Sequence, residues 1–566
     1  ERILSMLSAF SQSDPKDRAA ARLCANAMVL LLAQYLDCEE AQEKPRFIFF
    51  GKKTKTAREK ALDKYAALEK LAASHGGDPV MPGMLAWAKR AFIREDTFHH
   101  RAHEFESGLK DLKEFADRHP NNAFIIGEYA HACYCVFQEH FGHFIYDRAY
   151  QMILELERLV GVYGDLYREA GEADTEYEFP GYAPDNLDDH FTSALSEQAA
   201  HNAETLEIHG LLEDYKRLCG VTYPLESARH YLILEGQILS NLSYVYAESG
   251  DYGKSEEMID RLRELAARGQ ADGADEWLEQ SLIRSLSDSI YNLVTAYAEK
   301  EPIRRAARIA DLLAELKVLA EAGDEGRDAV HLHTRYASTL HNICVNAPAE
   351  ETASPLLGKA ELWERLYAYI TAHTVTGLVA EYVASGEVGF ILEAGKTKGV
   401  EAAKHHRARV KTLASQPGYE RVPELVVSSA VADFNLLVVA SNGGDMTLAR
   451  EMFNSLVEMA AVNPQNQGVV LRLVKGALNM ITDYGDTGDL AQADAVYQAM
   501  LPTALPHADD PEIANRLVNA AFNLSVDLRN AGQLERVKQI YDSIANTKPN
   551  GEAAARLEKL KAAARR

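Results

Sequence analysis

Six asparagines, Asn241, Asn292, Asn342, Asn435, Asn479 and Asn523, each stand directly before an apolar residue: Leu242, Leu293, Ile343, Leu436, Met480 and Leu524. A carboxamide carries a donor and an acceptor, so it can pair with the C=O and N–H of a peptide unit whatever side chain that unit bears. Seven residues before three of them, two helical turns along the same face, lie Arg335, Arg472 and Arg516, whose guanidinium forks match carboxylates. Together these residues suit an extended peptide that is acidic or ends in a free carboxylate. Arg284 is one residue out of this register, and Leu234 and Ser428 break it. The competing use of such an asparagine is architectural, a bond to a neighbouring helix or to its own preceding turn, because asparagine is a mediocre helix former and needs a partner when buried.

A second set of chemically capable residues is His131-x-Cys133-x-Cys135-x4-His140-x2-His143, with His99, His100 and His103 earlier. His131 with Cys135, and His99 with His103, share a helical face at a four-residue spacing able to ligate zinc. Neither a CxxC pair nor an HExxH element is present, and cysteine is commonly just buried, so core packing is the expectation. Gly389 to Thr397 has five residues between glycines where a phosphate cradle needs four, and no strand precedes it. The basic run Lys396, Lys398, Lys404, His405, His406, Arg407, Arg409 and Lys411 reads as a solvated face, or otherwise as a patch for an acidic partner. No catalytic residue, metal or cofactor is assigned.

The elements that must position the asparagines recur with them. Successive asparagines are 51, 50, 93, 44 and 44 residues apart, and 93 is about two units, so a degenerate copy is expected between Asn342 and Asn435, with Gly377 as its start and Gly386 as its turn. Nine residues after four of the asparagines stands Gly250, Gly444, Gly488 or Gly532, three of them followed by Asp251, Asp445 and Asp489. Small residues follow at Ser255, Ala306, Ala449 and Ala493, then bulky ones at Ile259, Phe453, Tyr497 and Tyr541. Apolar residues within each unit recur at three and four, the helical period. Each unit therefore reads as two helices: glycine ends the first in a left-handed conformation, aspartate caps the second, and a small residue permits a close crossing. Fixed periods of this length mark an array whose units bury their apolar faces only by stacking.

These residues resemble the tetratricopeptide repeat family, best at Leu242, Tyr246, Gly250, Asp251, Tyr252, Ser255 and Ile259. The units depart from it in exceeding its usual length of about 34 residues, in having Glu301 and Glu351 at the turn position, and in lacking a signature Trp. Longer helices or loops are implied. The resemblance covers Asn241 to Ile544 and, more loosely, residues 98 to 160, where Ala116 to Asn122 reads as a repeat ending; Val462-Asn463-Pro464 reads as another. It implies an all-α, right-handed α-solenoid of antiparallel helix hairpins whose first helices line a concave groove. Some members carry an asparagine ladder in the slot just before the Leu and hold extended peptides there, which makes the six asparagines and three arginines the expected peptide site.

The net charge of -24 opposes a phosphate-backbone partner, since nucleic-acid affinity rests on clustered Lys and Arg. Hydrophobic content of 47% with 25% charged residues is ordinary for a globular chain, and the uninterrupted apolar stretch near Ala27 to Ala33 is far short of the ~20 residues a membrane helix needs, so no membrane association is expected. Cysteines at 24, 38, 133, 135, 219 and 344 show no paired framework, and no secretory segment is visible in Glu1 to Ser11, which together suggest reduced thiols and a cytoplasmic setting. The expected organisation is a helical region with degenerate repeats over 1–171, an acidic linker at 172–189, an array over 190–551 and a capping helix at 552–566. A further interruption is expected at 44–56. The function expected is a non-enzymatic scaffold or adaptor for a protein or peptide partner. Its rivals are a pentatricopeptide-like reader of single-stranded RNA, suggested by Gly-Asp-Leu-x-x-Ala, and a metal-dependent enzyme within the first 170 residues.

Overall fold

The computed structural model describes residues 17–37, 56–78, 80–172, 186–221, 228–271, 276–322, 327–346, 358–419 and 422–565. Most of the expected acidic linker, and all but the last residue of the 44–56 interruption, lie outside them. The described residues form 23 α-helices and no strand. Two compact units divide the chain, Glu1–Ala296 and Tyr297–Arg566.

The first unit holds α1 (Arg18–Asp37), α2 (Ala57–Ser74), α3 (Val80–Phe98), α4 (Ala102–Asp117), α5 (Ala123–Gly142), α6 (Tyr146–Glu172), α7 (Asn186–Glu204), α8 (Ile208–Gly220), α9 (Ala228–Ser249), α10 (Tyr252–Ala271) and most of α11 (Glu276–Lys300). The second holds α12 (Ala306–Ala322), α13 (Arg327–Asn346), α14 (Lys359–Ala372), α15 (Gly377–Thr397), α16 (Val400–Ala414), α17 (Pro423–Asn442), α18 (Met446–Val462), α19 (Gln467–Thr487), α20 (Leu490–Ala504), α21 (Pro511–Asn530), α22 (Leu534–Ile544) and α23 (Gly551–Ala564). Odd-numbered helices are the first of each hairpin and even-numbered ones the second. Within each unit successive first helices pack on one another, α1 on α3, α5 and α7 through to α9, and α13 on α15 through to α23. Each unit is thus a helical-repeat stack.

Glycine and aspartate make the hairpin turns as their spacing implies. Gly444 and Gly488 both have φ 78°, a conformation that strains any residue with a Cβ. The amides of Asp445 and Asp489 then reach back to Ala440 O and Tyr484 O at 2.9 and 2.8 Å, closing the first helix. Their side chains accept from Leu448 N and Gln492 N at 3.0 and 3.2 Å, opening the second. Ala449 and Ala493 are fully buried at the crossing, with Phe453, Tyr497, Leu456 and Met500 stacked behind them. Burying each large apolar side chain contributes about 1.5–3 kcal/mol, so the hairpin holds only once its neighbour covers it. Helices of 20 or 21 residues, such as α17, α19 and α21, account for the long repeat. Both expected endings hold: α4 stops at Asp117 before the Asn122 cap, and α18 stops at Val462 before Asn466 caps α19.

Four expectations change. The degenerate hairpin exists as α15 and α16, but Gly386 lies inside α15, where a Cβ would sit 2.3 Å from the Trp363 ring, and the turn is made by Gly399 at φ 89°. Gly377, the expected slot at the start of that copy, is instead the first residue of α15. The basic run is solvated only in part: Lys396, Lys398 and His405 are exposed, but its C-terminal half turns inward. Arg407 and Lys411 donate to the fully buried Asp433 at 2.7 and 2.8 Å, and Arg409, itself 5% exposed, lies over the Tyr367 ring and pairs with Glu364. Last, α1 and α17 are apolar enough over an 18-residue window to pass as membrane spans by composition. In the fold α17 packs Leu425, Leu436 and Leu437 into the stack while carrying the ion-paired Asp433.

The repeat also extends upstream of Gly250, through turns that carry no glycine. His100 (φ 54°), Phe144 (φ 62°) and Leu206 (φ 59°) occupy the same left-handed turn, with Arg101 N, Ile145 N and Glu207 N bonded back to Asp96 O, His140 O and Asn202 O.

Removing the Asp433 carboxylate leaves two cations facing a buried site, so Asp433→Ala is expected to lower unfolding free energy by about 3 kcal/mol in denaturant titration. Phe144→Gly removes the left-handed penalty from a side chain that is 76% exposed and should raise stability by about 1 kcal/mol.

Candidate functional site

The left-handed turns give a register that glycine alone does not. In the C-terminal repeats the asparagine slot lies nine residues before the turn residue. Counting back from His100, Phe144, Leu206 and Gly399 places Ala91, Cys135, Glu197 and Phe390 in that slot. Ala91 and Cys135 line a cavity of about 470 Å³ in the first unit, built wholly on first helices or their ends. Its wall repeats at 44 residues: Trp87 and His131, Arg90 and Tyr134, Arg94 and Gln138, Glu95 and Glu139 are equivalent positions on α3 and α5. Leu36 on α1 and His190 on α7 close the sides.

The cavity is polar at its base and aromatic along one wall. Arg90 pairs with Glu128, which is 4% exposed, and lies 5.4 Å from the centroid of Trp87. Burial raises the Glu128 carboxyl above its ordinary range against the pull of Arg90. His131 and His190 have centroids 4.6 Å apart, and Tyr134 stacks on His190 at 5.2 Å while donating to Glu197 Oε1 at 3.1 Å. Burial, then the Arg90 charge, hold the two imidazoles down to about 3 and about 4, so both are neutral at pH 7. The His190 Nε2 is buried without a hydrogen-bond partner. Arg94 is exposed and makes no ion pair among the described residues.

Three of the predicted asparagines bond the preceding first helix of their own unit, and one of these, Asn435, is buried. Asn241 Nδ2 donates to Ala199 O on α7 at 3.5 Å, Asn435 Nδ2 to Val388 O on α15 at 3.1 Å, and Asn523 Nδ2 to Thr482 Oγ1 on α19 at 3.1 Å. Asn292 and Asn479 are half-buried on α11 and α19, and Asn342 on α13 bonds His341. Arg335 is half-buried on α13. Arg472 and Arg516 come together across α19 and α21 around Glu512, whose carboxyl is held below its ordinary range first by the Lys475 ammonium at 2.7 Å and then by both arginines. Arg472 Nε is buried and unpartnered, and Arg516 is exposed. Farther along the second unit a second cavity of about 300 Å³ lies between α21 and α23, lined by Phe522, Val526 and Arg529.

Of the metal-capable set, His131 and Cys135 share the first cavity, where burial lifts the thiol above its ordinary value. Cys133 is fully buried elsewhere beside Tyr129. The cavity residues Trp87, Arg90, Arg94, Tyr134 and His190 were not legible as a site. The 44-residue pairing of α3 with α5 carries the signal, but without a turn glycine the repeat is hard to align.

No family model matches the chain. No curated protein matches it. Among solved structures it is similar to importin beta in an ammonium sulfate condition, at 11% identity and TM-score 0.39 over 100% of this chain, spanning 66% of that chain. A circular tandem repeat protein with novel repeat topology is similar at 14% identity and TM-score 0.19 over 96% of this chain and 98% of that one. The hairpin stack itself defines the class: an all-α helical-repeat solenoid.

An imidazole held below its ordinary value of about 6.5 binds fewer protons folded than unfolded, so its contribution is complete above that pH and drains as pH falls toward the folded values. Melting temperature should therefore fall from pH 6.5 to 4, and more steeply in the natural chain than in the His131→Gln/His190→Gln double variant.

Proposed function

We propose that the chain is a non-enzymatic interaction scaffold whose first helices, in tetratricopeptide-like hairpins, receive an extended acidic segment of a protein partner. The observation that carries this reading is the shared register: the slot that Ala91 and Cys135 occupy in the wall of the first unit's cavity carries Asn479 and Asn523 in the second unit, with Arg472 and Arg516 two helical turns before them. Three asparagines spend their amide nitrogen on the preceding helix, which fixes the side chain and leaves Oδ1 as an acceptor for a peptide N–H. Packed helices lie roughly 8–10 Å apart and an extended chain advances about 3.3 Å per residue, so one carboxamide meets every third peptide residue. Arg94 in the first unit, and Arg472, Lys475 and Arg516 facing the single carboxylate of Glu512 in the second, supply the fit to acidic side chains.

Selection from a random peptide library should enrich Asp- and Glu-bearing sequences, and anisotropy titration of a selected peptide should show Asn479→Ala/Asn523→Ala binding about tenfold more weakly, with helicity unchanged. Unchanged affinity, or enrichment without acidic residues, would refute the reading.

A further inference from the structure

Three donor groups meet at the C-terminal ends of α3 and α5. His100 Nδ1 is 2.9 Å and His143 Nδ1 3.4 Å from the same oxygen, Glu139 Oε1. The three ligand atoms all lie within 4.8 Å of one another, the one such group of His, Cys, Asp and Glu among the described residues. The two imidazole centroids are 4.6 Å apart with planes at 71°, so the rings approach one point from different directions.

Two elements from successive repeats supply these donors. Glu139 and His143 are one turn apart at the end of α5, and His143 Nδ1 also lies 2.9 Å from the Glu139 carbonyl oxygen. His100 is the left-handed turn residue after α3, a conformation uncommon for any residue but glycine. The slot that is Gly250, Gly444, Gly488 or Gly532 in later repeats here carries an imidazole beside the next repeat's carboxylate.

We propose that His100, Glu139 and His143 bind a zinc-class divalent cation that clips together the first two left-handed turns among the described residues of the first unit. A tetrahedral ion with bonds of about 2.0–2.2 Å holds its ligand atoms roughly 3.3–3.5 Å apart, so the two separations from the carboxylate, 2.9 and 3.4 Å, need a few tenths of an ångström of adjustment, and the two histidines, within 4.8 Å of each other, close on the ion by side-chain rotation. Two imidazoles with one carboxylate favour zinc, cobalt or nickel over calcium and magnesium, which take all-oxygen shells. Both helices point their carbonyl ends at the site, and that partial negative charge favours a cation. On binding, each Nδ1 lone pair goes to the metal, its proton resides on Nε2, and His143 gives up its contact with the Glu139 carbonyl. The peptide reading is independent of this site, although Glu139 also lines the cavity.

The test uses the full chain stripped by chelator and titrated with zinc by calorimetry and with cobalt by visible absorption. One ion per chain is expected, with the intense visible bands of tetrahedral cobalt and a raised melting temperature. His100→Gly, His143→Ala and Glu139→Gln should each weaken zinc binding by about tenfold or more, while His131→Gln leaves it unchanged. His100→Gly suits the turn's backbone, so loss of binding there is not loss of fold, and far-UV circular dichroism checks the others. Absence of saturable binding, binding kept by all three variants, or equal affinity for calcium would overturn the assignment.

Discussion

A left-handed residue closes the first helix of most described hairpins, and the strip of side chains on the first helices depends on it. The residue ends the helix after a fixed number of turns, so the position nine residues back always falls on the same side, against the preceding repeat. Where glycine fills the turn the conformation carries little strain; His100, Phe144 and Leu206 hold it with a side chain present. The packing of each first helix on the next must offset that strain in the first unit. The same register brings Ala91 and Cys135 to a cavity and Asn435, Asn479 and Asn523 to the seams of the second unit.

At those seams the architectural bond and the proposed peptide contact are compatible uses of one carboxamide, half-buried in Asn241 and Asn523 and buried in Asn435. Its Nδ2 bonds the preceding first helix in Asn241, Asn435 and Asn523, which answers the need of a mid-helix asparagine for a partner. The bond also holds the side chain in one orientation, and a preorganised acceptor loses less entropy when a ligand pairs with it. An architectural asparagine is therefore better prepared for a peptide than a freely rotating one. The net charge of -24 repels an acidic segment at long range, so the cations of this strip must act locally, within about a Debye length of 8–10 Å.

Buried charge is handled differently away from that strip. Asp433 on α17 is enclosed by Arg407, Lys411 and Ser455, and Glu387 on α15 meets His406, Arg409 and the Trp363 indole N–H. These networks tie α16 to the first helices on either side of it, where a purely apolar contact would fix distance but not register. That is why Arg407, Arg409 and Lys411, within a run reading as charged surface, turn inward.

The sequence by itself determined the hairpin. Spacing of apolar residues, Gly488 with Asp489, and Ala493 at the crossing are local or nearest-neighbour requirements, so they are written wherever the repeat is regular. It also marked the asparagine slot. Tertiary structure alone decided what the slot faces, because the partner of Asn435 is a backbone carbonyl 47 residues earlier and leaves no mark in residue type. Tertiary structure likewise set the turn at Gly399 rather than Gly386, since a Trp363 ring against the helix needs a glycine for space while a turn needs one for φ, and composition does not tell the two apart. The first unit's cavity and the meeting of His100 with Glu139 were decided in the same way: side chains 39 to 44 residues apart become neighbours only when two first helices stack.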